Sequence, residues 1–313
     1  LSGVLDEPAG GLVSGLLRLP GSPALRLGID GDGPLSDWKG RLTAAVDGRP
    51  TLAVDATHRI SAGLRSMTAT GGGRFDALLP PQLRPLFQGD TIIDLAASLD
   101  RNGAVSIERG KLSTATLDLT ASGRYASNGA NDLKARLVGT SGPVPFEWTS
   151  GNQTVSAAIE QLTLSVSGPA NSAGVTLNGR FASLQSPQAS LSGVDLSASS
   201  DSFDIANRTG PLDARLTVAS SRLADPELDR LVKAPLTLHA PLQIGTDRIA
   251  FDGTTIESAS IGGKLSGEFR RSEETVAARF ELFAVPGVLP EALSQKFEGT
   301  IALAGTLDYT LPR

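Results

Sequence analysis

Few side chains capable of catalysis occur in this 313-residue sequence. It contains no cysteine and only two histidines, His58 and His239, which excludes disulfides, thiolate metal sites and cysteine nucleophiles. His58 follows Asp55 by three residues near the end of an alternating segment, and we interpret it as a turn or surface residue. His239 occupies a polar position of another such segment, which is typical of a solvated strand residue. Without the HExxH spacing we expect no metal site and no cofactor.

The remaining motifs that could carry chemistry are incomplete. No serine lies in a GxSxG context. The run at 30–33 (DGDG) is followed by Pro34 and lacks the closing glutamate of a calcium loop, so it predicts a hairpin turn. The glycines at 71–73 precede no Lys-Ser/Thr pair and predict a bulge or turn. The acids of the DPELD segment at 225–229 are typical of a helix start. We therefore expect no enzymatic activity.

Composition points to a folded protein made of strands and turns. Apolar residues form 40% and charged residues 19% of the chain, and aromatic residues only 4%. The 35 glycines and 19 prolines favour many short strands. The net charge of −5 disfavours nucleic-acid binding. No apolar run reaches the roughly 18 residues of a transmembrane helix, and no signal segment is recognisable.

Apolar and polar residues alternate through most of the chain, as in strands with one apolar face. The pattern predicts roughly eighteen strands and three short helices. The alternation is clear in these segments: 25–29, 42–46, 52–56, 133–137, 155–159, 162–166, 194–196, 212–218, 236–244 and 301–311.

Two kinds of repeat interrupt this pattern. A helix-then-strand unit occurs at 79–89 and again at 289–299, with a looser copy at 225–235 in which Asp225 is a plausible N-cap and Pro226 takes the first helical position. Residues 105–125 align without gaps to 249–269. We therefore expect residues 1–313 to form one continuous repetitive β domain, a fragment of a longer chain, with repeat units near 79–125, 225–269 and 289–313.

The apolar faces of these strands must be covered or must bind something, because burial stabilises by about 25 cal/mol per Å². Three short helices cannot cover so many strands, and a membrane barrel would need aromatic girdles. Small residues at the apolar positions, such as Gly123, Gly267 and Gly305, leave room for an incoming molecule. We predict an all-β fold with a few short helices, an elongated curled single sheet enclosing a hydrophobic groove. A sandwich with a filled core is the alternative.

The arrays of amphipathic strands, the LPxxLxxxFxG units at 79–89 and 289–299, and the Gly-charged-aromatic strand ends at 73–75 and 179–181 resemble the TamB family. These AsmA-like proteins are the inner-membrane-anchored subunits of the translocation and assembly module. The resemblance implies a β-taco-like sheet in the periplasm. It further implies phospholipid transfer between the inner and outer membranes, outer-membrane protein assembly, or both. An outer-membrane barrel of the TamA type is the implied partner, bound through parts outside this fragment.

We predict that phospholipid acyl chains lie against the apolar positions of the strands, with the short helix at 289–298 facing the same groove. The candidate groove residues are Leu117, Leu119, Val175, Leu177, Ile261, Leu265, Leu293, Phe297, Ile301 and Leu303. A surface adhesin or autotransporter-like protein with a self-filled core is the rival hypothesis. It would show a fixed repeat of about 20 residues, which the irregular spacing of the units disfavours.

Overall fold

A computed structural model describes residues 2–16, 19–74, 76, 79–80, 83–150, 153–285 and 299–310. Strands make up 71% of the structure and helices 5%, and the antiparallel sheet is open rather than closed on itself. These features confirm the prediction of an all-β fold with few short helices and an open sheet. The chain divides into two compact units, residues 1–146 and 147–313, which we call unit 1 and unit 2.

Unit 1 is an antiparallel meander in which each strand from β1 to β9 pairs with the next along the chain. Helix α1 (Leu12–Leu16) follows β1, and a 3-10 helix (Arg84–Phe87) follows β5. The strands are β1 (Ser2–Glu7), β2 (Leu25–Asp32), β3 (Asp37–Val46), β4 (Arg49–Ser61), β5 (Leu64–Gly73), β6 (Thr91–Leu99), β7 (Val105–Ser113), β8 (Leu117–Tyr125), β9 (Ala130–Gly139) and β10 (Val144–Ser150), the last of which spans the division between the units.

Unit 2 repeats the same architecture. Each strand from β11 to β19 pairs antiparallel with the next. Helix α2 (Pro226–Leu231) follows β14. The strands are β11 (Gln153–Pro169), β12 (Ala173–Gln185), β13 (Ala189–Phe203), β14 (Gly210–Leu223), β15 (Leu236–Ile244), β16 (Arg248–Ser258), β17 (Ile261–Arg270), β18 (Thr275–Ala284) and β19 (Ile301–Thr310).

Local sequence explains the turns and the helix start. The β3–β4 turn places Asp47 and Gly48 at φ of 48° and 76°, and this positive-φ pair matches the twist of a two-residue hairpin. The Asp225 side chain accepts hydrogen bonds from the backbone N–H groups of Glu227 (2.8 Å) and Leu228 (3.0 Å). Asp225 is therefore the N-cap of α2, as the sequence predicted, and Pro226 occupies its first turn.

Strand register aligns the apolar positions of neighbouring strands, so each unit has one apolar face. In unit 1 a single row crosses all nine strands from β1 to β9: Gly3, Ile29, Leu42, Val54, Gly71, Ile93, Leu112, Leu119 and Leu137. In unit 2 the equivalent row crosses β11 to β19: Leu162, Gly179, Leu196, Leu216, Leu238, Ile256, Gly263, Leu282 and Leu303.

Burial within these faces is uneven. Val194 and Val218 are fully buried, whereas many other large apolar side chains are half-buried or exposed. The chain exposes 18740 Å², although a compact protein of this mass would expose only about 12,000 Å². Much of the strand surface is thus left uncovered by other parts of the chain.

Two bulges occur at matched positions of the aligned repeats. The register slips between Ile107 and Gly110 in β7 and between Phe251 and Thr254 in β16. Each bulge adds a residue, so the apolar positions change from odd to even numbers and stay on the same face. The prediction of a repeat-like strand architecture is confirmed at this level.

Some details differ from the sequence analysis. Among the described residues of the unit at 79–89, the helical element is a four-residue 3-10 helix, and α1 was not predicted. Residues 30–32 belong to β2, so the turn that follows begins only at Gly33. The glycines at 71–73 are the last residues of β5 rather than a turn. The predicted helix at 289–298 lies outside the described residues, and so do Leu293 and Phe297.

Candidate functional site

The unit 1 candidates lie on its apolar face, on strand β8. Leu117 is buried (5% exposed), whereas Leu119 is 36% exposed and pairs with Leu112 on one side and Leu137 on the other. A shallow cavity of about 200 Å³ opens beside Leu119. Its lining is mainly aliphatic: Ile93, Leu95, Gly110, Lys111, Leu112, Leu119 and Ala121. This surface can hold hydrocarbon but offers it almost no hydrogen-bonding partner.

A larger cavity of about 490 Å³ lies on the same unit at strands β1 to β4. Leu5, Leu27, Ile29, Leu42 and Leu52 line most of it, and register brings these five positions onto one face. Its volume falls within the range of small-molecule pockets. These residues were not among the groove candidates predicted from the sequence, although their alternation with other residues is visible there.

The unit 2 candidates occupy three strands of its apolar face. Val175 and Leu177 on β12 are half-buried, as are Ile261 and Leu265 on β17. On β19, Ile301 is half-buried and Leu303 is 59% exposed. Leu177 pairs with Leu164 and Ala198, and Leu303 pairs with Leu282. The described candidates therefore share one face in each unit and are not gathered into a single pocket.

Glycines on the apolar face of unit 2 are covered by neighbouring aromatic rings. A Cβ built on Gly305 would lie 2.8 Å from the Phe280 ring, and one built on Gly267 would lie 2.9 Å from the Phe251 ring. The sequence analysis expected these glycines to leave room for an incoming molecule. At these positions a cross-strand ring already takes that room, a packing that stabilises glycine within a strand.

A hydroxyl-based turn closes the same hairpin in both units. In the β7–β8 turn, Thr114 Oγ1 accepts the N–H groups of Thr116 (3.1 Å) and Leu117 (2.9 Å). In the β16–β17 turn, Ser258 Oγ accepts those of Ser260 (3.2 Å) and Ile261 (2.9 Å). The three positions of each turn correspond in the alignment of 105–125 with 249–269.

A short helical segment reaches each of these turns from two strands away. In unit 1 Thr114 Oγ1 donates to the Leu86 carbonyl (2.9 Å) and Thr116 Oγ1 donates to that of Pro85 (3.0 Å). In unit 2 the backbone N–H of Lys233, just after α2, donates to Ser260 Oγ (3.1 Å). In each unit, hydroxyl groups of the turn thus hold a helical segment at one end of the strands.

The opposite face of unit 1 is polar, and threonines separate the like charges that would otherwise follow one another in one of its rows. One row of unit 1 contains only polar or charged residues, and like charges are never direct neighbours in it. Within or beside this row, Arg41 contacts Asp55 (4.0 Å) and Arg109 contacts Asp94 (2.7 Å). We call it the charge row, and it consists of Asp30, Arg41, Asp55, Thr70, Asp94, Lys111, Thr120 and Arg136.

The polar features of unit 2 include a histidine–aspartate pair and a cavity beside three aspartates. His239 Nε2 lies 2.7 Å from Asp213 Oδ2, and a polar cavity of about 570 Å³ lies beside Asp213, Asp201 and Asp252. In the part of the chain that the structure describes, no group of three or more His, Asp or Glu side chains could hold a metal ion.

The two carboxyl groups with a lowered pKa lie in turns rather than in the cavities. The pKa of Asp100 is lowered because its carboxylate accepts the N–H of Ala104, with further contributions from Asn102 and the Arg124 guanidinium. Asn207 lowers the pKa of Asp204 in the same way, through its backbone and side-chain N–H groups. Both carboxylates therefore order tight turns.

Sequence reasoning missed three residues at one end of the unit 1 apolar face: Trp38, His58 and Arg65. His58 lies inside β4, opposite Trp38 on β3 and Met67 on β5, and Arg65 follows the same face on β5. The sequence already shows which face of its strand each of these residues occupies, because the two faces alternate along a strand. Only the strand register brings them together.

No helix within the described ranges is both long enough and apolar enough to cross a membrane. No protein-family model, no curated protein and no solved structure matches this chain.

Proposed function

We propose that this chain is a non-enzymatic scaffold whose apolar sheet faces hold phospholipid acyl chains. The observation that carries the proposal is the pair of unbroken apolar rows, each crossing nine strands in register, which include side chains as exposed as Leu119 and Leu303. A self-filled core, as in the rival adhesin hypothesis, would bury such residues. Hydrocarbon chains gain about 0.8 kcal/mol per buried CH₂ on such a surface.

The mechanism is passive in this proposal. Acyl chains lie against the aliphatic rows while the polar headgroups stay in water, and no bond is made or broken. Shallow cavities such as the one at Leu5, Leu27 and Leu52 give a chain several places to rest. A series of weak binding sites lets an acyl chain move along the face instead of staying tightly bound at one position.

The cellular setting is part of the proposal and rests on the resemblance to the TamB family. The chain would belong to a longer periplasmic protein anchored in the inner membrane. It would serve phospholipid transfer between the two membranes, outer-membrane protein assembly, or both, with an outer-membrane barrel partner of the TamA type.

The test combines lipid extraction with site-specific photocrosslinking. The chain is purified from cells and extracted with organic solvent, and its phospholipid is measured. A photoreactive residue is placed at Leu119 or Leu303, with matched controls at Thr120 and Thr306, exposed residues on the polar faces of the same strands.

We expect co-purifying phospholipid and crosslinks to lipid from both leucine positions, because acyl chains would lie there. The threonine positions should give none. Absence of lipid together with absence of crosslinks at Leu119 and Leu303 would refute the proposal and favour apolar faces covered in another way.

A further inference from the structure

One end of the unit 1 apolar face carries polar side chains where the rest of the face is aliphatic. Trp38, His58 and Met67 occupy one cross-strand row on β3, β4 and β5. Arg65 lies one step further toward the start of β5, opposite Ile60. We call Trp38, His58 and Arg65 the rim cluster.

Trp38 contributes a hydrogen-bond donor that has no acceptor among the described residues. The side chain is only 8% exposed, and its ring lies against Gly31 and Gly40, where any larger residue would clash with it. Its indole Nε1 is buried without a partner. A buried donor without a partner destabilises the fold, and an acceptor brought by a ligand would satisfy it.

His58 has one nitrogen engaged and one available. Its Nδ1 lies 2.6 Å from the carbonyl oxygen of Leu35. A carbonyl can only accept, so Nδ1 carries the proton and the tautomer is fixed. Nε2 has no partner in the described part of the chain. Nε2 is therefore the ring atom that His58 can offer to a ligand.

Arg65 adds a positive charge that no acid of the described residues neutralises. The arginines on the polar face nearby are paired: Arg59 with Asp37 (3.1 Å) and Arg124 with Asp100 (2.8 Å). A further guanidinium, that of Arg101, lies against Gly63 in the adjoining β4–β5 turn. The acids at this end are thus already engaged, whereas Arg65 remains available to a ligand.

We propose that the rim cluster binds the anionic headgroup of a lipid-like molecule, a phosphate or carboxylate, whose acyl chain extends along the neighbouring aliphatic rows. This inference rests on the proposed function and deepens it. The chain would pass over Ala56 and Ala69, small residues of the next row, toward Val54. Arginine and an indole N–H together suit an oxyanion at the boundary between water and hydrocarbon.

Fluorescence of Trp38 gives a direct test. The chain has two tryptophans, so Trp148→Phe leaves Trp38 as the only indole reporter. This protein is titrated with dodecyl phosphate, with the uncharged dodecyl maltoside and with inorganic phosphate, each detergent below its micelle-forming concentration. The same titrations are made with Arg65→Gln, with His58→Gln and with the matched control Arg59→Gln, whose side chain lies on the opposite face.

We expect saturable binding of dodecyl phosphate that weakens about tenfold in Arg65→Gln and in His58→Gln, as for loss of one charge-assisted hydrogen bond. Binding of dodecyl maltoside should be unchanged in both variants. Arg59→Gln should bind like its parent. Inorganic phosphate should bind far more weakly than dodecyl phosphate, because it has no acyl chain to bury.

Three other results would overturn the inference. Equal binding of both detergents, insensitive to Arg65→Gln and His58→Gln, would reject the rim cluster but leave the proposed function standing. Binding of inorganic phosphate as tight as that of dodecyl phosphate would indicate a plain anion site without an acyl chain. Failure of both detergents to bind would reject the inference and the proposed function together.

Discussion

Thr114 uses one hydroxyl both to close a hairpin and to position a second element, whereas in unit 2 these two roles are divided between Ser258 and Ser260. Thr114 is only 7% exposed and also bonds to Leu86 in the segment that braces the sheet. Thr114→Val keeps the shape of the side chain and removes these bonds. We expect a loss of about 1–3 kcal/mol in the free energy of unfolding, because two backbone N–H groups and one carbonyl lose a partner.

Urea unfolding followed by circular dichroism measures this loss. Thr114→Ser keeps the hydroxyl and should retain most of the stability. Thr120→Val, a substitution on the exposed polar face, should change it by less than about 0.5 kcal/mol. Equal effects of Thr114→Val and Thr120→Val would contradict the role given to the turn hydroxyl.

Asp100 predicts a dependence of stability on pH. Its pKa is lowered in the folded state, chiefly by the N–H of Ala104. The ionised carboxylate therefore stabilises the fold above the ordinary aspartate range near about 3.9, and this contribution is lost as the pH falls through the lowered pKa. We expect Asp100→Asn to lower the urea midpoint at pH 7 and to differ progressively less from the parent chain as the pH is reduced below about 4.

Asp118→Asn is the matched control, since Asp118 lies on the polar face of β8. Its difference from the parent should be small. A difference between Asp100→Asn and the parent that stays constant from pH 7 to pH 2 would contradict the assignment.

Local residue roles could be predicted from the sequence, whereas groupings across strands could not. The Asp225 cap was predictable because Asp, Pro and two acids lie within five consecutive positions. The rim cluster was not, because Trp38, His58 and Arg65 come from three strands. Their proximity depends on the length of each hairpin turn and on the slip between Ala44 and Ala45, which the residue types do not determine.

At the scale of single elements, the bulge in β16 requires a glycine. Gly253 has φ of 72° and open space where a Cβ would be. Gly253→Ala should therefore cost about 1–2 kcal/mol through backbone strain alone. Thermal or urea unfolding of the intact chain measures it.

Gly262 on β17 is the matched control. Its φ is not positive, and an added Cβ would only make an ordinary contact of 3.7 Å with the Ile256 carbonyl. Gly262→Ala should be neutral or slightly stabilising, because alanine restricts the unfolded chain. Destabilisation as large as that of Gly253→Ala would argue against conformational strain as the cause.

The existence of most strands could be predicted because alternation is a local signal with a period of two. The positions of bulges and short helices were harder to predict from the sequence. In β7 the apolar positions change from odd to even numbers between Ile107 and Leu112. Strict alternation would predict two separate strands there. The 3-10 helix at Arg84–Phe87 has no side-chain cap, so the sequence gives no marker of its short length.

At the scale of the whole molecule, the large exposed area predicts an unusually small heat capacity of unfolding. A compact protein of this length would show about 4.4 kcal/mol/K. The area of 18740 Å² leaves less surface to be exposed on unfolding, and we expect a value lower by about a fifth. Calorimetry of lipid-free protein, summed over all transitions, measures it without assuming two-state behaviour.

A compact all-β protein of similar length serves as the reference. A heat capacity equal to that reference would mean that the apolar faces are covered in solution, for instance by self-association, and that they are not free to hold lipid. The sequence alone could not decide between an open face and a filled core. Alternation specifies which side of a strand is apolar but not what lies over it.

The charge row restricts which strands can pair, whereas the apolar faces do not. Each apolar face presents much the same aliphatic surface on every strand, so any two strands could pair by that face almost equally well. Along the charge row, direct pairing of two strands that carry the same charge would bring aspartate against aspartate, as for β2 with β4, or lysine against arginine, as for β7 with β9. The charge row therefore penalises one class of wrong pairing that the apolar face tolerates. In a repetitive chain of similar strands, this penalty reduces the number of mispaired sheets that compete with the native one.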